Sequence, residues 1–270
     1  MLLIAIMVGT LLAGIGSVWL AAALSFGALA RYTQHMLSLA AGALMATAFM
    51  HLLPEAFESQ AGAHDLFLTL LLGLVFFFLL DKAELWHHGH EHHHDGAHPP
   101  QPHHVQGHHH THTHAHPHPA PLGSWAIVTG DSVHCFGDGI LIASAFMADM
   151  RLGVMAALAV LAHEVPHHMG DLMVLRAGAN NRRMALVKVS LAGAVTSLGG
   201  LAGFWLVDLL RDYLPYFLVV ASSSFVYVAL ADLIPQLQKR LSLRETLAQI
   251  AWLGVGMAMV SLLSGVAHGH

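Results

Sequence analysis

The chain has 270 residues, of which 56% are hydrophobic and only 10% charged. Soluble domains carry about 25% charged residues, so this composition lacks the charge to clothe a water-exposed surface and excludes a soluble globular protein. The few Lys and Arg exclude nucleic-acid binding, and a lone cysteine, Cys135, excludes both a disulfide framework and an all-cysteine zinc site.

Apolar stretches recur along the whole length, among them Met1–Leu24, Phe67–Leu80, Leu152–Leu161 and Phe217–Ala231. Several approach the roughly 20 residues that cross a bilayer as a helix, and their repetition excludes a signal peptide as the cause. The expected fold is an all-α polytopic membrane protein of about eight transmembrane helices. The spans are read at about 2–24, 37–57, 63–84, 123–148, 152–176, 184–208, 214–236 and 245–266. They group as helices 1–3 (1–84), a histidine-rich loop (85–122), helices 4–5 (123–177) and helices 6–8 (178–270).

Span two contains His51-Leu-Leu-Pro54-Glu55 and span seven contains Asp232-Leu-Ile-Pro235-Gln236. Each sets a polar residue three before a proline near a helix end. The spans run in opposite directions, so helices 1–3 and 6–8 are expected to form an inverted repeat around helices 4–5, as transporters commonly do. His51, Glu55 and Glu58, with His64 and Asp65 after them, make a cation-attracting mouth at the outer face.

Residues 87–118 hold sixteen histidines among Pro, Gly and Gln. Such a composition builds no packed core and reads as a disordered loop. Its imidazoles, such as His92, His93, His94, His108, His109 and His110, would buffer metal weakly at many points.

Span four reads Asp131-Ser-Val-His134-Cys135-Phe-Gly-Asp138-Gly139, and span five reads His163-Glu164-Val-Pro166-His167-His168-Met-Gly-Asp171. Residues four apart share a helix face, which pairs His134 with Asp138, His163 with His167, and Glu164 with His168, with Asp171 continuing the His167 row. Interhelical hydrogen bonds in membranes contribute about 0.6–2 kcal/mol, whereas one mid-helix Asp costs about 2.5–3.5 kcal/mol. Seven such residues on consecutive spans exceed what adhesion requires. Convergence of His134, Asp138, His163 and His167 on one ion gives a nitrogen-rich four-ligand set that suits Zn²⁺, although Fe, Co, Ni or Cu could use similar donors. Pro166 leaves backbone carbonyls that either contact a cavity or merely kink the helix.

These two motifs resemble the ZIP family of divalent metal transporters, in the branch with a His-Glu-x-Pro-His-Glu-x-Gly-Asp fifth helix. The segment from Gly42 through His51 to Glu55 resembles that family's second helix. The resemblance implies zinc uptake into the cytoplasm by alternating access, with Fe²⁺, Mn²⁺, Co²⁺, Ni²⁺ or Cd²⁺ as other cargo. It also implies a primary site of His134, Asp138, His163 and His167, to which Glu164 is added as a ligand. A neighbouring second site would use Cys135 and Glu164, with His168, Asp171, His51, Glu55 and Asp232 as further second-site or pathway residues. His168 stands where the family has glutamate, Cys135 where it has asparagine or serine, and Thr196-Ser197 on span six offers no carboxylate.

Orientation follows from the cationic residues, which favour the cytoplasm in short loops. With the N-terminus outside, Arg31, Lys82, Arg176, Arg182, Arg183, Lys188, Lys239, Arg240 and Arg244 fall inside, and only Arg151 and Arg211 outside. Both termini then face outward, the histidine loop is cytoplasmic, and the membrane is that of a bacterium's inner (plasma) membrane. The expected partners are the metal ion and the lipid bilayer, with a homodimer left open. Three rivals stand beside transport. His163-Glu164-Val-Pro-His167 fits the H-E-x-x-H of an intramembrane zinc metalloprotease, and a non-transporting metal sensor would carry the same ligands. A proton-driven exporter of another fold is disfavoured because the chain stops soon after its eighth span.

Overall fold

The computed structural model describes residues 1–25, 33–89, 123–179, 182–237 and 242–267. Within them the backbone is helical apart from short turns such as residues 58–62 and falls into eight rods. Rod one is α1 (Leu2–Leu11), a π-helical segment (Leu12–Gly16) and α2 (Ser17–Ser25). Rod two is α3 (Thr33–Thr47), a π-helical segment (Ala48–Leu52) and α4 (Leu53–Phe57). Then come α5 (Ala63–Gly89), α6 (Gly123–Ala148), α7 (Met150–Ala179) and α8 (Arg182–Leu209). Rod seven is α9 (Leu214–Tyr227), a π-helical segment (Val228–Leu233) and α10 (Ile234–Leu237), and α11 (Leu243–Ala267) is last.

Six of these rods are long and apolar enough to cross a membrane. The remaining two, α6 and α7, match them in length but not in hydropathy, because they carry Asp131, His134 and Asp138, and His163, Glu164, His167 and His168. The least apolar helices are therefore the ones that hold the chemistry. The histidines from His92 to His110 lie outside the described residues.

Local chemistry explains the helix ends. Ser242 and Glu245 form a reciprocal cap at the start of α11: the Ser242 amide donates to Glu245 Oε2 at 2.8 Å, and the Glu245 amide to Ser242 Oγ at 3.4 Å. Between α6 and α7 the only non-helical residue is Asp149, whose carboxylate accepts the Arg151 amide at 2.8 Å. That cap turns the chain in one residue and sets α6 and α7 side by side.

The two π segments that precede proline have a common cause. Proline offers no amide to the carbonyl four residues back, so the ladder slips by one. Leu53 donates to Ala48 and Ile234 to Ala229, five residues apart, each just before a proline, Pro54 or Pro235. His51 and Asp232 occupy the same place in their segments, the penultimate residue. Spans two and seven thus share their local backbone as well as their short sequence likeness.

Packing rests on backbone-to-backbone approach at glycine. A Cβ on Gly139 of α6 would run into the Thr196 carbonyl of α8, and one on Gly199 of α8 into the Phe136 carbonyl. Small residues at such crossings are how helices approach closely in lipid. The same device joins α3 to α11, where Gly42 meets Leu253 and Gly256 meets Leu39. Helix α6 is thereby pinned between α7 and α8, with α3 also packed on α7. By contrast α5 is largely exposed along its apolar length, the face it offers to lipid.

Candidate metal centre

Two residues from each of α6 and α7 converge near mid-helix. His134 Nε2 lies 3.4 Å from His163 Nε2, 3.3 Å from Glu164 Oε1 and 3.8 Å from Asp138 Oδ2. His163 Nε2 lies 3.2 Å from Asp138 Oδ2 and 3.3 Å from Glu164 Oε1. A tetrahedral ion held at about 2.0–2.1 Å by nitrogen and oxygen spaces its donors about 3.3–3.4 Å apart, so the four atoms already outline a zinc-sized cage.

The donors are also electronically ready. His163 Nδ1 lies 3.3 Å from the Ala159 carbonyl, which can only accept, so that nitrogen carries the proton and Nε2 presents its lone pair to the cage. Asp138 Oδ2 and Glu164 Oε1 are buried and accept no hydrogen bond. Side chains of Asp138, His163 and Glu164 are 1–3% exposed, while His134 at 24% is the one open edge. Buried carboxylates without partners are costly, and a cation shared between them removes that cost.

His167 lies elsewhere. Its Nε2 stands 3.5 Å from Asp131 Oδ1 and 3.7 Å from Asp171 Oδ2, and its ring stacks on His134 with centroids 5.4 Å apart. The expected quartet of His134, Asp138, His163 and His167 is thus split, with Glu164 completing the cage and His167 one turn along α7 in a second cluster. Adjacent residues 163 and 164 both reach the cage because it sits between their two directions on the helix surface, whereas residue 167 has risen by about 6 Å. Glu164 points its other oxygen, Oε2, at His168 Nε2 at 3.0 Å and at Cys135 Sγ at 3.9 Å.

The metalloprotease reading needs His163 and His167 on one ion with Glu164 free to act on its water. Here the two histidines belong to different clusters, and Glu164 is grouped with His134, Asp138 and His163 as side chains that could hold an ion. Helix α7 runs on through Pro166, and Gly139 lets the backbones of α6 and α8 approach closely.

The chain belongs to the ZIP zinc transporter family. The family model of that description matches residues 82–264, which include both α6 and α7. Human zinc transporter ZIP4 is 36% identical over 115 residues, 43% of this chain and 18% of that protein. The mouse ZIP4 transporter is 35% identical over 142 residues (52% and 20%), and the Drosophila melanogaster zinc transporter foi 32% over 146 residues (53% and 20%). The ZIP-like match therefore spans about a fifth of these relatives' length.

Within this ZIP chain, His51, Glu55 and Glu58 line a cavity of about 470 Å³ with Asp149 and Arg151. Eleven residues separate Asp149 from Asp138, so the cavity lies about 16 Å along α6 from the cage. Asp232 sits on the π segment of rod seven. Two residues were not among the expected ligands. Asp131 meets Cys135, His167 and His168; its position three and four residues before His134 and Cys135 was the available signal. Ser17, 2.9 Å from His168 Nδ1, had none, being one hydroxyl in an apolar span.

Proposed function

We propose that this ZIP chain carries Zn²⁺ across a membrane through the cage of His134, Asp138, His163 and Glu164. The observation that carries the reading is the grouping of four metal-ligating side chains, most of them buried, within 4.8 Å of one another between α6 and α7. The names of the relatives support zinc as cargo; the same nitrogen and oxygen set accommodates Co²⁺, Ni²⁺, Fe²⁺, Mn²⁺ and Cd²⁺.

The ion enters at the acidic cavity of His51, Glu55 and Glu58, exchanges water for the cage ligands, and leaves past Asp131, His167 and Asp171. Asp131 and His167 lie one helical turn beyond the cage and Asp171 about two, all on the side away from Asp149. The asymmetry of cationic residues supports an outward N-terminus, which places the cavity outside, the histidine tract in the cytoplasm and the direction as uptake. A bacterial inner membrane completes the setting. The shared α–π–Pro pattern of rods two and seven supports an inverted repeat, whose two halves would rock around α6 and α7 for alternating access.

The test is Zn²⁺ entry into liposomes holding the purified chain and an interior dye. Asp138→Asn and His163→Ala are expected to abolish entry while the protein still inserts. Near-normal flux in both variants overturns the site, and no flux in the parent chain despite tight binding favours a sensor.

A further inference from the structure

Rod one and α8 cross where two glycines face each other. A Cβ on Gly14 would run into the Gly193 carbonyl, and one on Gly193 into the carbonyl of Gly14. That approach holds the two backbones together at the crossing. Towards the start of α8 they leave a cleft of about 560 Å³, lined by Trp19 of rod one and by Arg183, Val187, Ser190, Leu191 and Ala194 of α8. The α8 residues recur every three or four positions, so they form one face of that helix.

The cleft has the length of one lipid leaflet. From Ala194 to Arg183 α8 rises about 16 Å, close to half of the roughly 30 Å hydrocarbon core. Both rods are long and apolar enough to cross a membrane. Trp19, Val187 and Leu191 are 62%, 61% and 60% exposed, and on such helices that exposure is to lipid. Left unfilled, the walls would forfeit their dispersion contacts, and acyl chain is the medium around them.

The chemistry is graded along that length. The deep end is apolar, whereas the mouth carries Arg183, with Arg182 before it and Lys188 one to two turns deeper. Rod one holds no acid from Leu2 to Ser25, and α8 holds none before Asp208 near its opposite end. An apolar track capped by cations alone has the complementary form of a lipid with a negative head.

We propose that this cleft binds an anionic phospholipid, its acyl chain along Val187, Leu191 and Ala194 against Trp19 and its phosphate on Arg183. The planar guanidinium fork suits a phosphate. A zwitterionic lipid brings the same tail and phosphate but adds a cation beside Arg182, Arg183 and Lys188, where neither wall offers a carboxylate to receive it. The headgroup with net negative charge is therefore selected. The orientation proposed above puts the cleft in the cytoplasmic leaflet, where anionic lipids attract basic segments; the binding itself needs only insertion in a membrane. Seated there, the lipid braces rod one two residues from Ser17, whose hydroxyl lies 2.9 Å from His168 Nδ1.

The experiment reconstitutes the full-length chain in phosphatidylcholine vesicles and adds phosphatidylglycerol with brominated acyl chains, which quench tryptophan on contact. Brominated phosphatidylcholine is the control, and the share of Trp19 is the difference between the parent chain and Trp19→Phe. In the parent, that share is expected to half-saturate at a mole fraction of phosphatidylglycerol at least about fivefold lower than of phosphatidylcholine, the effect of one cation at the membrane surface. Arg183→Gln should raise the phosphatidylglycerol value by about fivefold and leave the phosphatidylcholine value unchanged. Ser190→Phe fills the cleft with every cation kept and should abolish the preference. Equal curves for the two lipids in the parent overturn the proposal, as does a preference undiminished in Arg183→Gln. A preference that survives Ser190→Phe puts the lipid on the charged surface and overturns the cleft as its site. Zinc entry is not read in this experiment, so transport through the cage is judged separately.

Discussion

Replacing Glu164 by glutamine separates the observed cage from the quartet expected along one face of α7. A four-ligand structural zinc site binds with about 10–16 kcal/mol, or about 2.5–4 kcal/mol per ligand. Glu164 Oε1 stands 3.3 Å from both cage imidazoles, and an amide in its place is a weak, neutral ligand. At about 1.4 kcal/mol per decade, Glu164→Gln should weaken Zn²⁺ binding by about 60- to 700-fold. His167→Gln removes a side chain outside the cage, one that touches Asp131 and Asp171 and stacks on His134. Its effect should come through the orientation of His134 and stay within about 10–100-fold, the range for residues that position a ligand. The assay is competition with a fluorescent zinc chelator, on protein purified in detergent. Equal losses in the two variants, or a larger loss for His167→Gln, would refute the assignment of Glu164 to the cage.

Three further outcomes follow from the same geometry. Protons compete with metal for His134 and His163, so affinity should fall with acidification, by up to about tenfold per histidine per pH unit below its titration; chelator competition between about pH 7.5 and pH 5.5 checks the direction. Glu55→Gln together with Glu58→Gln removes two charges from the cavity lined by His51 and Asp149 and should raise the transport KM with kcat unchanged, an effect that shrinks as salt screens the field. Gly139→Val places a side chain against the Thr196 carbonyl, whereas an added Cβ at Gly137 meets nothing. The first substitution should cost about 1–3 kcal/mol or more by overpacking and the second little, read as thermal unfolding in detergent.

The architecture was legible because it follows from local chemistry. Recurring apolar stretches located eight helices, six of them apolar enough to cross a membrane, and the helical repeat showed which polar residues share a face, so the pairing of His134 with Asp138 followed from spacing. The π segment of rod two also has a local cause in Pro54, although the sequence does not say whether a proline will kink a helix or slip its ladder. What periodicity leaves open is the rotation of one helix against another. The backbone contacts of Gly139 and Gly199 with the neighbouring helix set that rotation for α6, and the one-residue turn at Asp149 fixes the height of α7 beside it. Those two constraints bring Glu164 into the cage and leave His167 a turn beyond. They also carry His168 to Ser17, 151 residues away along the chain, a meeting that tertiary packing alone decides.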